Sequence, residues 1–250
     1  RKGIEWMKPQ GVGEGRDGRL ELVLLTMAHG GVKKNDPRFR ELFEQMLAQE
    51  PELTYRTALR AMVLEEVQRV KHPAEIHKCA QFLVDNQGSN GQWSYGTKTM
   101  YTQVVPTPKD PIASGGPKVV GFGEAEPGVK PKVLQKVPVK KNRDMQGGGD
   151  NSNSQYAALG MRACFDSGII FPADVVEKAA DWWRKCQKTD KVDAEDLIEG
   201  GVDGPARAGK PGATQASSAV VHKAEPQGWC YAKHDGHPAY GSMTAGAVGS

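Results

Sequence analysis

Hydrophobic and polar positions alternate along this chain in a way that predicts a succession of helices. Residues 19–29 (RLELVLLTMAH) are apolar nearly all round, as in a helix surrounded by other elements, and Gly30-Gly31 ends the run. Asp36-Pro37 places an N-cap before a proline at the first helical position and opens a helix over 38–49. Thr54 is expected to cap 55–70, where Ala58, Leu59, Met62, Val63 and Val67 keep a helical period. Pro73 opens the next helix, which runs to Gln87 and is stopped by Gly88. A short helix over 2–8 comes first, then a loop over 11–18. After a long gap, 151–154 should cap 155–165, Pro172 opens 173–187, and a last helix begins near Ser242.

Two stretches break this pattern. Residues 94–150 are rich in Pro, Gly, Val and Lys, and 188–240 in Gly and Ala, so both read as insertions without helical period. Within the first, Val133 to Val139 alternates as the strand of a small hairpin does. Pro127, Pro131 and Pro138 argue for edge or extended structure instead.

The helix ending at Gln87 belongs to a repeated device. Lys78, Ala80, Phe82, Gln87, Gly91, Trp93 and Tyr95 recur as Lys178, Ala180, Trp182 and Gln187, then, beyond the second insertion, as Gly228, Trp229 and Tyr231. A third, weaker copy spans Lys2, Trp6 and Gln10. The Gln amide is suited to satisfying orphan backbone groups at a neighbouring helix end, and the indole to folding over it and excluding water. Gln87, Trp93, Gln187 and Trp229 are therefore expected to clasp one helical hairpin to the next.

This pattern resembles the QW repeat of the terpenoid cyclase and protein prenyltransferase superfamily. The resemblance implies an all-α fold, a partial α/α toroid of inner and outer helices in a single domain over 1–250. Counting alternately, the inner helices are 19–29, 55–70, 155–165 and the one from Ser242. In the superfamily the functional mouth lies at the N-terminal ends of the inner helices, where backbone N–H groups favour anionic or electron-rich groups. Here that rim comprises Arg19, Glu21, Tyr55, Arg56, Asn151, Asn153, Gln155, Tyr156, Ser242 and Thr244, with both insertions opening onto it. The Asn, Ser and Thr side chains read equally as helix caps; Arg56 and Tyr156 are not preferred caps.

Candidate chemistry is sparse beside that rim. The cyclases of the superfamily carry Asp-x-Asp-Asp on an inner helix, with a protonated central Asp as acid. Asp193-Ala-Glu195-Asp196 has Glu at that position and falls in an insertion, so it reads as an acidic solvated turn. The prenyltransferases hold zinc with Asp, Cys and His. Cys230, His234 and His237 bring ligand types together, but at a spacing that matches neither that site nor a common structural zinc site. Gly11-Val-Gly13-Glu-Gly15 and Gly147-Gly-Gly149 lack a preceding strand and a phosphate-binding Lys.

Composition narrows the partners. A net charge of +3 does not by itself imply nucleic acid, and the one basic cluster, Lys130 to Arg143, carries no interleaved aromatics for base stacking. That cluster reads as a solvated extended loop, or as a contact for an anionic surface. No run is apolar enough to span a membrane, and mean hydropathy is −0.56, so the chain reads as soluble, with its compartment open. Cys79, Cys164 and Cys186 fall on helices as small hydrophobes, and four cysteines set no disulfide framework. The ends fall within expected helices, as in a segment of a longer protein. Together these features point to a non-catalytic binding or protein-interaction module without a cofactor, contacting a protein or a small apolar or anionic ligand. The alternative is a cyclase or prenyltransferase whose catalytic motif lies outside the segment.

Overall fold

The computed structural model describes residues 2–7, 19–103, 105, 130–187, 228–231, 239 and 241–249. Among these residues the chain is mostly helical: α1 (Lys2–Met7), α2 (Arg19–His29), α3 (Pro37–Leu47), α4 (Thr54–Gln68), α5 (Pro73–Asp85), α6 (Asn151–Asp166), α7 (Ala173–Cys186) and α8 (Gly241–Gly249). Two short strands, β1 (Val137–Pro138) and β2 (Ile169–Ile170), accompany them.

Helices α2, α4, α6 and α8 stand side by side in chain order. Residues near the helix starts meet: Glu21 in the first turn of α2 pairs with Arg56 in the first turn of α4, the Tyr55 ring of α4 lies against Tyr156 in the second turn of α6, and Gln155 of α6 lies beside Gly246 in the second turn of α8. The four helices therefore run parallel, with their N-termini at one end of the molecule. Helices α3 and α5 carry the chain back between them, α3 against α2 and α5 against both α4 and α6. The core between the layers is continuous. Met27, Phe39, Met46, Val63, Leu64, Ile76, Phe82, Leu83 and Trp93 lie in it at 1% exposure or less.

The α4–α6 contact is the closest, because Gly160 carries no side chain there. A Cβ on it would sit 2.7 Å from the Cα of Ala58. Leu83 crowds the same spot from α5.

Several expectations need adjusting at this level. Asp36 caps α3 as expected, accepting from the backbone N–H groups of Arg38 and Phe39. Thr54, expected as a cap, is instead the first residue of α4; Leu53 precedes it without a side-chain cap, and the Thr54 hydroxyl donates to Ser94 O at 2.6 Å. Likewise α6 begins four residues earlier than expected. Asp150 is its cap, accepting from Asn153 N at 2.7 Å, which leaves 151–154 inside the helix.

Over residues 130–150 the first insertion forms a strap. Burial alternates along it, with Val137 and Val139 inward and Pro138 and Lys140 outward. Among the described residues β1 takes no hairpin partner and pairs in parallel with β2, from the α6–α7 connection. Val137 N donates to Gly168 O and Val139 N to Ile170 O, so the missing N–H of Pro138 falls where the ladder needs none. The basic cluster is divided between paired and exposed side chains. Lys130 pairs with Glu65 and Glu66, Lys141 with Asp144, while Lys132, Lys136 and Lys140 are exposed. No described helix is long and apolar enough to cross a membrane.

Candidate functional site

The repeated device can be followed bond by bond. The Trp93 indole N–H donates to Leu83 O at 2.8 Å, and that of Trp229 to Trp183 O, the corresponding residue of α7, at 2.9 Å. Leu83 O is one of the carbonyls left over at the end of α5, so the indole acts as a C-terminal cap. Its neighbours are met as well: Phe82 O by the Asn86 amide, Val84 O by Gln87 N, and Asp85 O by Arg143 Nε. Gln87 is wholly buried and donates from Nε2 to Val175 O in the first turn of α7 at 2.8 Å. It joins the end of one returning helix to the start of the next. Gly91 lies between them with φ +91°, and a Cβ on it would collide with the carbonyl oxygen of Lys178. Gln187 is half-buried at the end of α7.

The segment after each Trp is also repeated, and it leads to the rim. Thr54 N, at the start of α4, donates to Tyr95 O; Asn151 N, at the start of α6, donates to Tyr231 O; both are 2.8 Å. The side chains of the same two residues bind the preceding carbonyl, Thr54 Oγ1 that of Ser94 and Asn151 Nδ2 that of Cys230. Each Trp backbone N–H then donates to a hydroxyl at the fourth position of the next parallel helix, Trp93 to Ser154 at 3.0 Å and Trp229 to Thr244 at 3.1 Å. Each Trp-x-Tyr segment thus bridges two adjacent helix N-termini. It leaves a tyrosine outward at each, Tyr95 59% exposed and Tyr231 42%.

The remaining rim residues are occupied with one another. Arg56 is buried, its guanidinium paired with Glu21 at 2.8 Å and donating to Gln49 Oε1. Asn151 accepts from the Trp182 indole at 2.7 Å, and Asn153 donates to Asp150 Oδ2 at 2.8 Å. Gln155 is held against Gly246, Thr244 receives Trp229, and Arg19 is exposed. Tyr55 is half-buried between Tyr95 and Tyr156, each ring centroid 6.4 Å away and tilted by 80° and 59°. The Ser242 side chain lies outside the described residues. So do His234, His237 and the 193–196 turn, while Cys230 is buried beside α6.

Two ionisable groups of this end are committed within the fold: Glu21 to Arg56, Asp150 to the N-terminus of α6. Elsewhere burial pushes the Cys79 thiol up to about 12 and raises Cys164 well above the ordinary range, which suits buried hydrophobes and not nucleophiles. Among the described residues no group of three or more His, Cys, Asp or Glu is placed to hold a metal ion. This end of the molecule presents aromatic surface edged by amides and hydroxyls.

Sequence reasoning passed over Tyr95 and Tyr231 as rim residues, although both stand two positions after a repeated Trp. Gln49 and Arg143 gave no such signal, since they act on neighbours fixed only by packing. No family model, no curated protein and no solved structure matches this chain.

Proposed function

We propose that this chain is a non-catalytic binding module, an arc of an α/α toroid whose mouth engages a protein partner through tyrosines. Parallel helices alternating with returning ones, tied by the twice-built Trp bond and by Gln87, support the toroid reading. The observation that carries the binding reading is the exposure of Tyr95 and Tyr231 at successive helix N-termini through the same set of hydrogen bonds. A tyrosine offers a large, stiff contact surface with a polar tip, the kind of residue that anchors protein interfaces. Tyr55 and Tyr156 extend the surface between them. Arg56 supports it from below through Glu21 and makes no ligand contact of its own.

The test is site-specific photocrosslinking in the native host with p-benzoylphenylalanine at position 95, at 231, and at 134 near the opposite end. One partner captured from both 95 and 231, absent from 134, and lost on Tyr55→Ala is the expected result. Different proteins from the two positions, or the same protein from 134, would overturn it. So would turnover of squalene or a prenyl diphosphate by the purified protein.

A further inference from the structure

The outward side chains of the strap form a face that neither the clasp nor the tyrosine end uses. Lys132, Leu134, Lys136, Pro138 and Lys140 are all exposed, at every second position, as extended chain places them on one side. Leu134 stands 63% exposed. Lys136 Nζ lies 5.7 Å from the centre of the Phe165 ring, itself 54% exposed, and Pro138 is in register with Ile170, 47% exposed. Large apolar side chains and lysines therefore share one continuous surface, the kind that marks an interaction site. Beyond Pro138 this surface sinks into an open groove of about 720 Å³ between residues 138–144 and the start of α7, with Ile170, Phe171 and Pro172 in its apolar lining.

The positive charge of this face is uncompensated. Lys132, Lys136 and Lys140 have no carboxylate partner among the described residues, whereas the carboxylates lining the groove are taken, Asp144 by Lys141 at 2.8 Å and Asp174 by Lys178 at 3.4 Å. An anionic partner fits such a face, and the spacing says which kind. Lysines four residues apart along extended chain stand about 13 Å from each other, too sparse for a nucleic-acid strand with a charge about every 3.4 Å. A bilayer meets only what protrudes and leaves the groove empty. An extended peptide shares the rise of the strap, so a carboxylate at every fourth position faces a lysine and the side chains between them face Leu134 and Ile170. We infer that the outward face of the strap and the adjoining groove dock an acidic segment of a second protein, distinct from the partner at the tyrosine end. That segment is extended, with aspartate or glutamate at every fourth residue and an aliphatic side chain seated against Ile170 and Phe171.

The probe is a fluorescein-labelled peptide, Glu-Ser-Leu-Ser-Glu-Ser-Leu-Ser-Glu, followed by anisotropy as the whole chain is added. Saturable binding is expected at low ionic strength, weakening as salt is raised. The same peptide with glutamine for glutamate should bind about ten-fold more weakly. So should the acidic peptide with the double variant Lys136→Glu, Lys140→Glu, in which two attractions become repulsions; Lys136→Gln with Lys140→Gln is the milder substitute if circular dichroism finds it misfolded. Ile170→Thr should weaken the acidic peptide about three-fold through lost apolar contact. Arg40→Glu, the same change of charge at an exposed position of α3, should leave binding as it was. No saturable binding, equal binding of the glutamine peptide, an unaffected double variant or Ile170→Thr, or an equal loss with Arg40→Glu would each overturn the assignment. So would pelleting of the chain with phosphatidylcholine–phosphatidylserine vesicles that the double variant abolishes, since the face would then belong to a bilayer.

Discussion

Trp93 and Trp229 make the same bond from different surroundings, Trp93 at 1% exposure and Trp229 half-buried. The bond should therefore be worth more at the first. Trp93→Phe leaves Leu83 O unmet in a dry site and should cost about 1–3 kcal/mol, whereas Trp229→Phe should cost less than half as much. Urea unfolding of the two variants checks the order, and equal losses would contradict it. Arg56 offers a second case. Removing it by Arg56→Ala strands the Glu21 carboxylate, 3% exposed, and should cost about 3–5 kcal/mol. The double variant Arg56→Met with Glu21→Leu should recover most of that, because no buried charge is left alone. The guanidinium looked like a ligand contact in the sequence because it is no cap. Its partner 35 positions away could not be read from local pattern.

At the scale of elements, the pair α4 and α6 depends on the absence of a side chain at Gly160. Gly160→Leu should destabilise the fold by about 1–3 kcal/mol through overpacking, visible as a lower melting temperature; an unchanged one would mean that the helices separate freely. A lone glycine inside a helical pattern reads only as weakened propensity, so this role was hidden until Ala58 stood opposite. Helix starts were legible where the signal was strictly local, as at Asp36-Pro37. They shifted where the chain offered several capping residues together: Asp150, Asn151, Asn153 and Ser154 all have capping side chains, and the strap bonded to Trp93 selects the first. The same logic governs β1. Its alternation was legible, but its partner lies in the α6–α7 connection, and a period of two does not name a partner.

For the whole molecule, two imidazoles, His77 buried and His72 half-buried, set a pH dependence. Burial lowers the pKa of both His72 and His77 below the ordinary 6.5, against the opposing pull of Glu75 on His72 and of the Pro138 carbonyl on His77. The unfolded chain then takes up protons first as pH falls, so stability is complete above about 6.5 and declines through the range beneath it. Urea midpoints at pH 7 and pH 5 should differ, and His77→Gln should shrink the difference; an unchanged difference would show that His77 is not involved. The sequence by itself determined the helices and the repeat that sets Gln87, Trp93 and Trp229, because periodicity, caps and Gly-x-Trp spacing are short-range signals written in consecutive residues. Only the tertiary structure decided that Arg56 is spent on Glu21, that β1 pairs with β2, and that Tyr95 and Tyr231 emerge at one end. Those outcomes depend on which hydrogen bonds are met by residues distant in the chain, and backbone groups at a helix end accept any donor that packing brings within reach.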